Sequence, residues 1–413
     1  MHNSRRQFLK TVTFLSLAGH SDLLSAQETD TLSNRVASII SEYSAQGIHR
    51  TGTDVDNLSG QWLADRITLL GISPVLEPFP LDRIVQREGL LKFGQFQLPG
   101  IPAYDCNYTD ANGVTGRLGE LGSNADIGVV MTGGSMPAGI AQALEQARQN
   151  NHHRGIVLVT DATYSPDGIY IINGEHFSAP IGPPVLHVAN NQWTQLQRAM
   201  AAGDLATLIA HCDREVSSAF NVRATIPGSD PGLAPIVVMT PRSGWWRCAS
   251  ERGGGIALFL EILRAVSLGE PRRTVRFTAN SGHELGHIGM GKYLQENAGL
   301  LQGAAMWIHL GANFAARGSA IRLQFSNAEN RDSTLRELAL LGLVPAVETP
   351  LGNRPLGEAR NIFDGGGQYI SILGNNPWFH HPDDLWPTAV NLETTAYWAE
   401  AFNNLVVTLS QRS

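Results

Sequence analysis

Cysteine is scarce in this chain of 413 residues: only Cys106, Cys212 and Cys248 occur, and none belongs to a C-x-x-C pair. A disulfide framework is therefore excluded at this length. The odd count leaves at least one thiol free or paired between chains, and Cys106 and Cys212 read as small buried apolar residues. Charge is also sparse, at 16% of residues, and the net charge is -7. Phosphate binding needs a basic face, so no nucleic-acid partner is expected. The apolar stretch from Thr11 to Gly19 is too short to cross a bilayer, and no second segment looks transmembrane. No internal repeat or low-complexity tract is present.

What is present begins with an export pattern. Ser4-Arg5-Arg6-Gln7-Phe8-Leu9-Lys10 reads as a twin-arginine signal, and Leu24-Ser25-Ala26 offers a cleavage site. The twin-arginine export machinery is then an expected partner, and the mature chain is expected in the periplasm or secreted. This route carries folded proteins, often with a cofactor already inserted. Residues 1–26 form the signal. The length of the rest favours two domains, and the 43 glycines and 21 prolines imply many loops.

Thr31–Gln46 and Asp56–Leu70 read as helices. From about residue 83 to 220, short apolar runs such as Gly155–Val159 alternate with Gly- and Pro-rich turns, with helical patterns at Ile140–Gln149 and Gln192–Ala202. This reads as a β-rich inserted domain, with 27–82 and 221–413 forming the main domain. From Asn221, strands and helices alternate. Ile236–Met239, Thr274–Ala279, Ala304–His309 and Tyr369–Leu373 are the strands; Gly255–Val266, Gly289–Asn297, Thr334–Leu343 and Asn391–Ser410 are the helices. The expected class is α/β, with a mainly parallel central sheet covered by helices on both faces. Ligands in such sheets gather at the carboxyl ends of the strands.

Those ends carry unusual residues. Pro241-Arg242-Ser243-Gly244-Trp245-Trp246-Arg247 and Glu251-Arg252 follow the first, Ser281-Gly282-His283-Glu284-Leu285-Gly286-His287 the second, His309 ends the third, and Trp378-Phe379-His380-His381-Pro382-Asp383-Asp384 follows the fourth. Carboxylates and imidazoles are ligands that zinc prefers. His283 to His287 also spells H-E-x-x-H, a zinc motif that requires a helix; Gly282, Gly286 and the preceding strand argue against one. Trp245, Trp246 and Trp378 either wall a substrate pocket or pack in the core. Arg242, Arg247, Arg252 and Arg360 crowd the region, and an Arg such as Arg242 can grip a substrate carboxylate. Gly253-Gly254-Gly255 reads as a close turn, because no P-loop Lys-Ser/Thr follows.

The chain resembles the co-catalytic zinc aminopeptidases, whose relatives include glutaminyl cyclases and the non-enzymatic transferrin receptor. Asn221–Gly228, Arg273–Phe277 with Glu284-Leu285-Gly286, and Phe379–Asp384 match that family's core blocks in order, and residues 83–220 are similar to its protease-associated insert. The resemblance implies Glu251, Glu284 and His380 as metal ligands. It also puts Pro241 in place of a ligand His, Ser243 in place of an Asp, His309 in place of a second Asp ligand and His283 in place of the general-base Glu. It implies one zinc per chain in an altered site, with His283 moving the proton and His309 assisting. Asp383 would orient a neighbouring His. The expected function is zinc-dependent hydrolysis of an amide or peptide bond in a small substrate. Glutaminyl-cyclase-like acyl transfer and a non-catalytic binding protein on the same fold are the alternatives.

Overall fold

The structure is a computed structural model that describes residues 31–134 and 136–412; the export signal lies outside them. Its strands form one run of thirteen neighbours. In chain order they are β1 (Val75–Phe93), β2 (Phe96–Pro102), β3 (Val114–Glu120), β4 (Ile127–Thr132), β5 (Gly155–Thr160), β6 (Val185–Val188), β7 (Leu205–Ile226), β8 (Ile236–Pro241), β9 (Val275–Asn280), β10 (Met306–Leu310), β11 (Arg322–Phe325), β12 (Val347–Glu348) and β13 (Tyr369–Leu373). Strands β9, β8, β10 and β13 pair in parallel, in that order, while β11 runs antiparallel to β13. At the other end β3, β4, β5 and β6 are parallel neighbours.

Alternation along the central strands explains the two covered faces. Val238, Phe277, Ile308 and Ile370 point to one side and join a core with Val36, Ile256, Phe259 and Phe402 from helices α1 (Leu32–Ala45), α5 (Gly253–Leu268) and the C-terminal helix Leu392–Gln411. Val237, Met239, Trp307 and Tyr369 point to the other and meet Met290, Tyr293 and Ile362. The helix ends carry the chemistry that helices select. Thr31, Thr53 and Asn391 each cap a helix by accepting a backbone N–H.

Two features differ from the sequence expectation. First, β1 and β7 pair antiparallel from Val75–Arg223 to Phe93–Ala206, as one long ribbon. The expected boundaries at 83 and 220 therefore fall inside continuous strands. Second, the helix expected at Thr334–Leu343 starts earlier, at Ala328, because Asn327 caps it by accepting from Asn330 N–H.

Candidate functional site

The strand ends converge as expected, and backbone strain converges with them. Six non-glycine described residues have positive φ, and four of them, Cys248, His287, Asn313 and His380, belong to the loops at this edge. The H-E-x-x-H segment is not a helix. Gly282 (φ +83) and Gly286 (φ +75) bracket a single 3₁₀ turn at His283–Leu285, and His287 has φ 63. This brings His283 and His287 into a stack with ring centroids 4.5 Å apart.

A cavity of about 920 Å³ opens here, lined by His283, His287 and His309, with Arg317, Arg322, Arg360, Asp161 and Glu175 also on its wall. Burial pushes His283 well below 6.5, helped by the charge of Arg252. Burial likewise lowers His287 and His309 to about 3. All three imidazoles are therefore neutral at physiological pH. Behind His283, Glu358 lies with Oε1 3.3 Å from His283 Nδ1, and burial raises its carboxyl to about 7.

Local bonding favours one tautomer of His309. Gln324 Oε1 accepts from Leu356 N–H, so Gln324 Nε2 is the atom that donates to Ser371 Oγ at 3.0 Å. The Ser371 hydroxyl then has His309 Nδ1, 2.8 Å away, as its acceptor. The remaining imidazole proton is on Nε2. That atom is buried and has no hydrogen-bond partner.

The residues implied as metal ligands lie outside this wall. Glu251, Glu284 and His380 are each 2% exposed or less. Glu251 and His380 do meet: His380 Nε2 is 3.4 Å from Glu251 Oε1, while Nδ1 donates to the Ile171 carbonyl. Neither facing atom makes a directed hydrogen bond, which would suit a metal. Glu284 does not join them. Its Oε1 accepts from Thr51 N–H (2.8 Å) and Thr51 Oγ1 (2.7 Å), and its Oε2 accepts from Ser243 Oγ (2.7 Å). Among the described residues, no group of three or more His, Cys, Asp and Glu side chains is arranged to hold a metal ion. The cation beside Glu251 is Arg252, whose guanidinium is 2.8 Å from Oε1. Burial alone would raise the Glu251 carboxyl, but Arg252, with His380, holds it at about 2. A zinc site needs at least three protein donors. Two donors already sharing a guanidinium do not fit zinc, and the expected ligands Glu251, Glu284 and His380 do not face one another as a single set.

The expected substrate-binding residues Arg242, Trp245, Trp246 and Trp378 do not line the cavity. Arg242 is fully buried and bonded to Asp56 Oδ1 (2.7 Å) and to the carbonyls of Asp56 and Phe220. Trp245 is buried, with Nε1 on Asn173 Oδ1. Trp246 is half-buried, donates to the His380 carbonyl and packs beside Arg50. Trp378 is half-buried and outside the cavity wall, which its neighbours Pro377 and Phe379 reach. Asp383 pairs with His381 (3.5 Å), not His380. The residue that shapes the loop is Asp384, which accepts from Ser250 N–H, Ser250 Oγ and Glu251 N–H.

The sequence misses Glu358, Thr51 and the strap formed by residues 164–176. Nothing local marks them, since each acts through a contact far away in the chain. Tyr164 stacks on His381 and Tyr170 on His380, Ser165 Oγ donates to Asp383, and Arg360 pairs with Glu175 at 2.6 Å. This strap covers the His380 loop.

No family model matches the sequence, and no curated relative does either. Solved structures do match. BSAP, a zinc aminopeptidase from Bacillus subtilis, superimposes with a TM-score of 0.75 at 17% identity, covering 92% of this chain and 95% of its own. A peptidase M28 precursor from Shewanella amazonensis SB2B gives 0.74 at 15% identity, with 95% and 98% covered. An aminopeptidase from Aneurinibacillus sp. strain AM-1 gives 0.69 at 16% identity, with 94% and 95% covered. The chain has the zinc aminopeptidase-like fold over nearly its whole described length.

Proposed function

We propose that this chain is a binding protein on a peptidase fold, taking a small peptide or amide into the His283–His287–His309 cavity without metal-dependent hydrolysis. One observation carries the reading. His309 Nε2–H is a buried hydrogen-bond donor without a protein partner, in the wall of a cavity large enough for a small ligand. A buried donor left unpaired is costly, so a carbonyl or carboxylate oxygen is the group it suits. His283 and His287, neutral and stacked, offer further polar contacts beside it. Fold alone does not decide chemistry, and the site does. Here the donors that would hold a metal do not line the cavity. The ligand is met outside the cytoplasm, in the periplasm or after secretion, by way of the twin-arginine signal. Arg5→Lys with Arg6→Lys should then keep the protein in the cytoplasm.

The test measures binding and turnover together, by equilibrium dialysis of the full chain against a panel of dipeptides and amino-acid amides. Saturable binding of intact ligand is expected. In His309→Leu, binding should weaken roughly tenfold, the value of one hydrogen bond. Hydrolysis that stops on adding a chelator would overturn the proposal in favour of the zinc-dependent hydrolase.

A further inference from the structure

Arg252 sits just before helix α5, and its guanidinium is fully buried. Nε donates to the Ser243 carbonyl at 2.8 Å, and the guanidinium lies 2.8 Å from Glu251 Oε1. The Ser243 hydroxyl donates to Glu284 Oε2, and Glu251 faces His380. The positions that the resemblance assigns to metal binding, Glu251, Glu284 and His380, are thus linked through Ser243 and Arg252 in one network. Its permanent cation is Arg252, since a guanidinium does not give up its proton in a protein.

We propose that Arg252 is a built-in cation that takes the place of the metal in this fold and supplies the positive charge its buried carboxylates require. A buried carboxylate is tolerated only when paired. Glu251 has Arg252 as that partner, and the same charge favours the ionised form of Glu358. Unlike a metal, the guanidinium is covalently part of the chain and cannot be lost to a chelator. It also offers no open coordination position, because a guanidinium presents only N–H donors. A zinc ion at Glu251 would have to share that carboxylate with a second cation. This inference concerns the charge beneath the cavity and does not depend on what the cavity binds.

The test is thermal unfolding of the full chain with a chelator, and with zinc chloride alone as the probe. The wild-type Tm should be the same in both. Arg252→Ala strands Glu251, so Tm should fall by on the order of 5 °C. Arg252→Lys keeps a charge and should lose less. Arg252→Ala with Glu251→Gln removes the stranded charge and should recover much of the fall. If Arg252→Ala does not fold, recovery of folded protein in that double variant supports the proposal. Zinc raising the wild-type Tm would overturn it. So would an Arg252→Ala defect that Glu251→Gln leaves untouched, or an Arg252→Ala Tm equal to wild type.

Discussion

Arg242 is the sharpest test of how this site divides structural from ligand-binding charge. Its side chain and that of Asp56 are both fully buried. The guanidinium holds Asp56 Oδ1 at 2.7 Å and donates to two carbonyls at 2.6 Å. Asp56 keeps only Gly52 N–H and Ser281 Oγ when the guanidinium is removed. Breaking a buried pair by deleting one partner costs about 3 to 5 kcal/mol. The two stranded carbonyls add about 1 kcal/mol each. Arg242→Met should therefore lose on the order of 5 kcal/mol, read from urea unfolding. Arg242→Lys keeps the charge but not the fork, and should lose less. Replacing both partners, Arg242→Met with Asp56→Leu, should recover much of the loss, because no charge is left unpaired. Cavity ligand affinity, measured on folded Arg242→Lys, should be unchanged. An Arg242 variant with wild-type stability and lost binding would refute the reasoning and return Arg242 to the ligand.

Acid stability follows from the buried histidines. His287 and His309 titrate near 3 when folded, against 6.5 as the ordinary value. The unfolded chain therefore binds protons first, and stability falls as pH drops from 6.5 towards 3. Glu251, held at about 2, adds to the loss below 4.5. Glu358, raised to about 7, acts in the opposite sense, its contribution fading as pH rises from 4.5 through 7. Tm measured against pH should show a shallower fall between 6.5 and 4.5 in His309→Gln; an unchanged profile would contradict the assignment. At the strap, a methyl group on Gly168 would collide with the His381 imidazole. Gly168→Ala should speed proteolysis and hydrogen exchange in residues 164–176, while protection equal to wild type would show that the strap does not pack there.

Much of the fold was legible because buried strands read as continuous apolar runs, as in Ile236–Met239, and because Thr31 and Asn391 announce their helices. The convergence of chemistry at the strand ends followed from topology alone. The long β1–β7 ribbon was hidden, since polar residues such as Arg83, Gln86 and Glu215 interrupt its pattern on the exposed side. Side-chain direction at the site was hidden for a different reason. Glu284 lies next to His283 in sequence, yet it turns to Thr51 and Ser243 while His283 faces the cavity. Arg252 stands in a glycine-rich turn, where nothing local marks it as buried. It is buried, with contacts to Ser243 and Glu251.

The central claim is that this peptidase fold carries no metal of its own. Its most direct test is elemental analysis of the full chain after equilibration with zinc and removal of the unbound ion. The account predicts far less than one zinc per chain, in protein that still binds its cavity ligand. One zinc or more per chain, lost in Glu251→Ala and accompanied by amide hydrolysis, would contradict it.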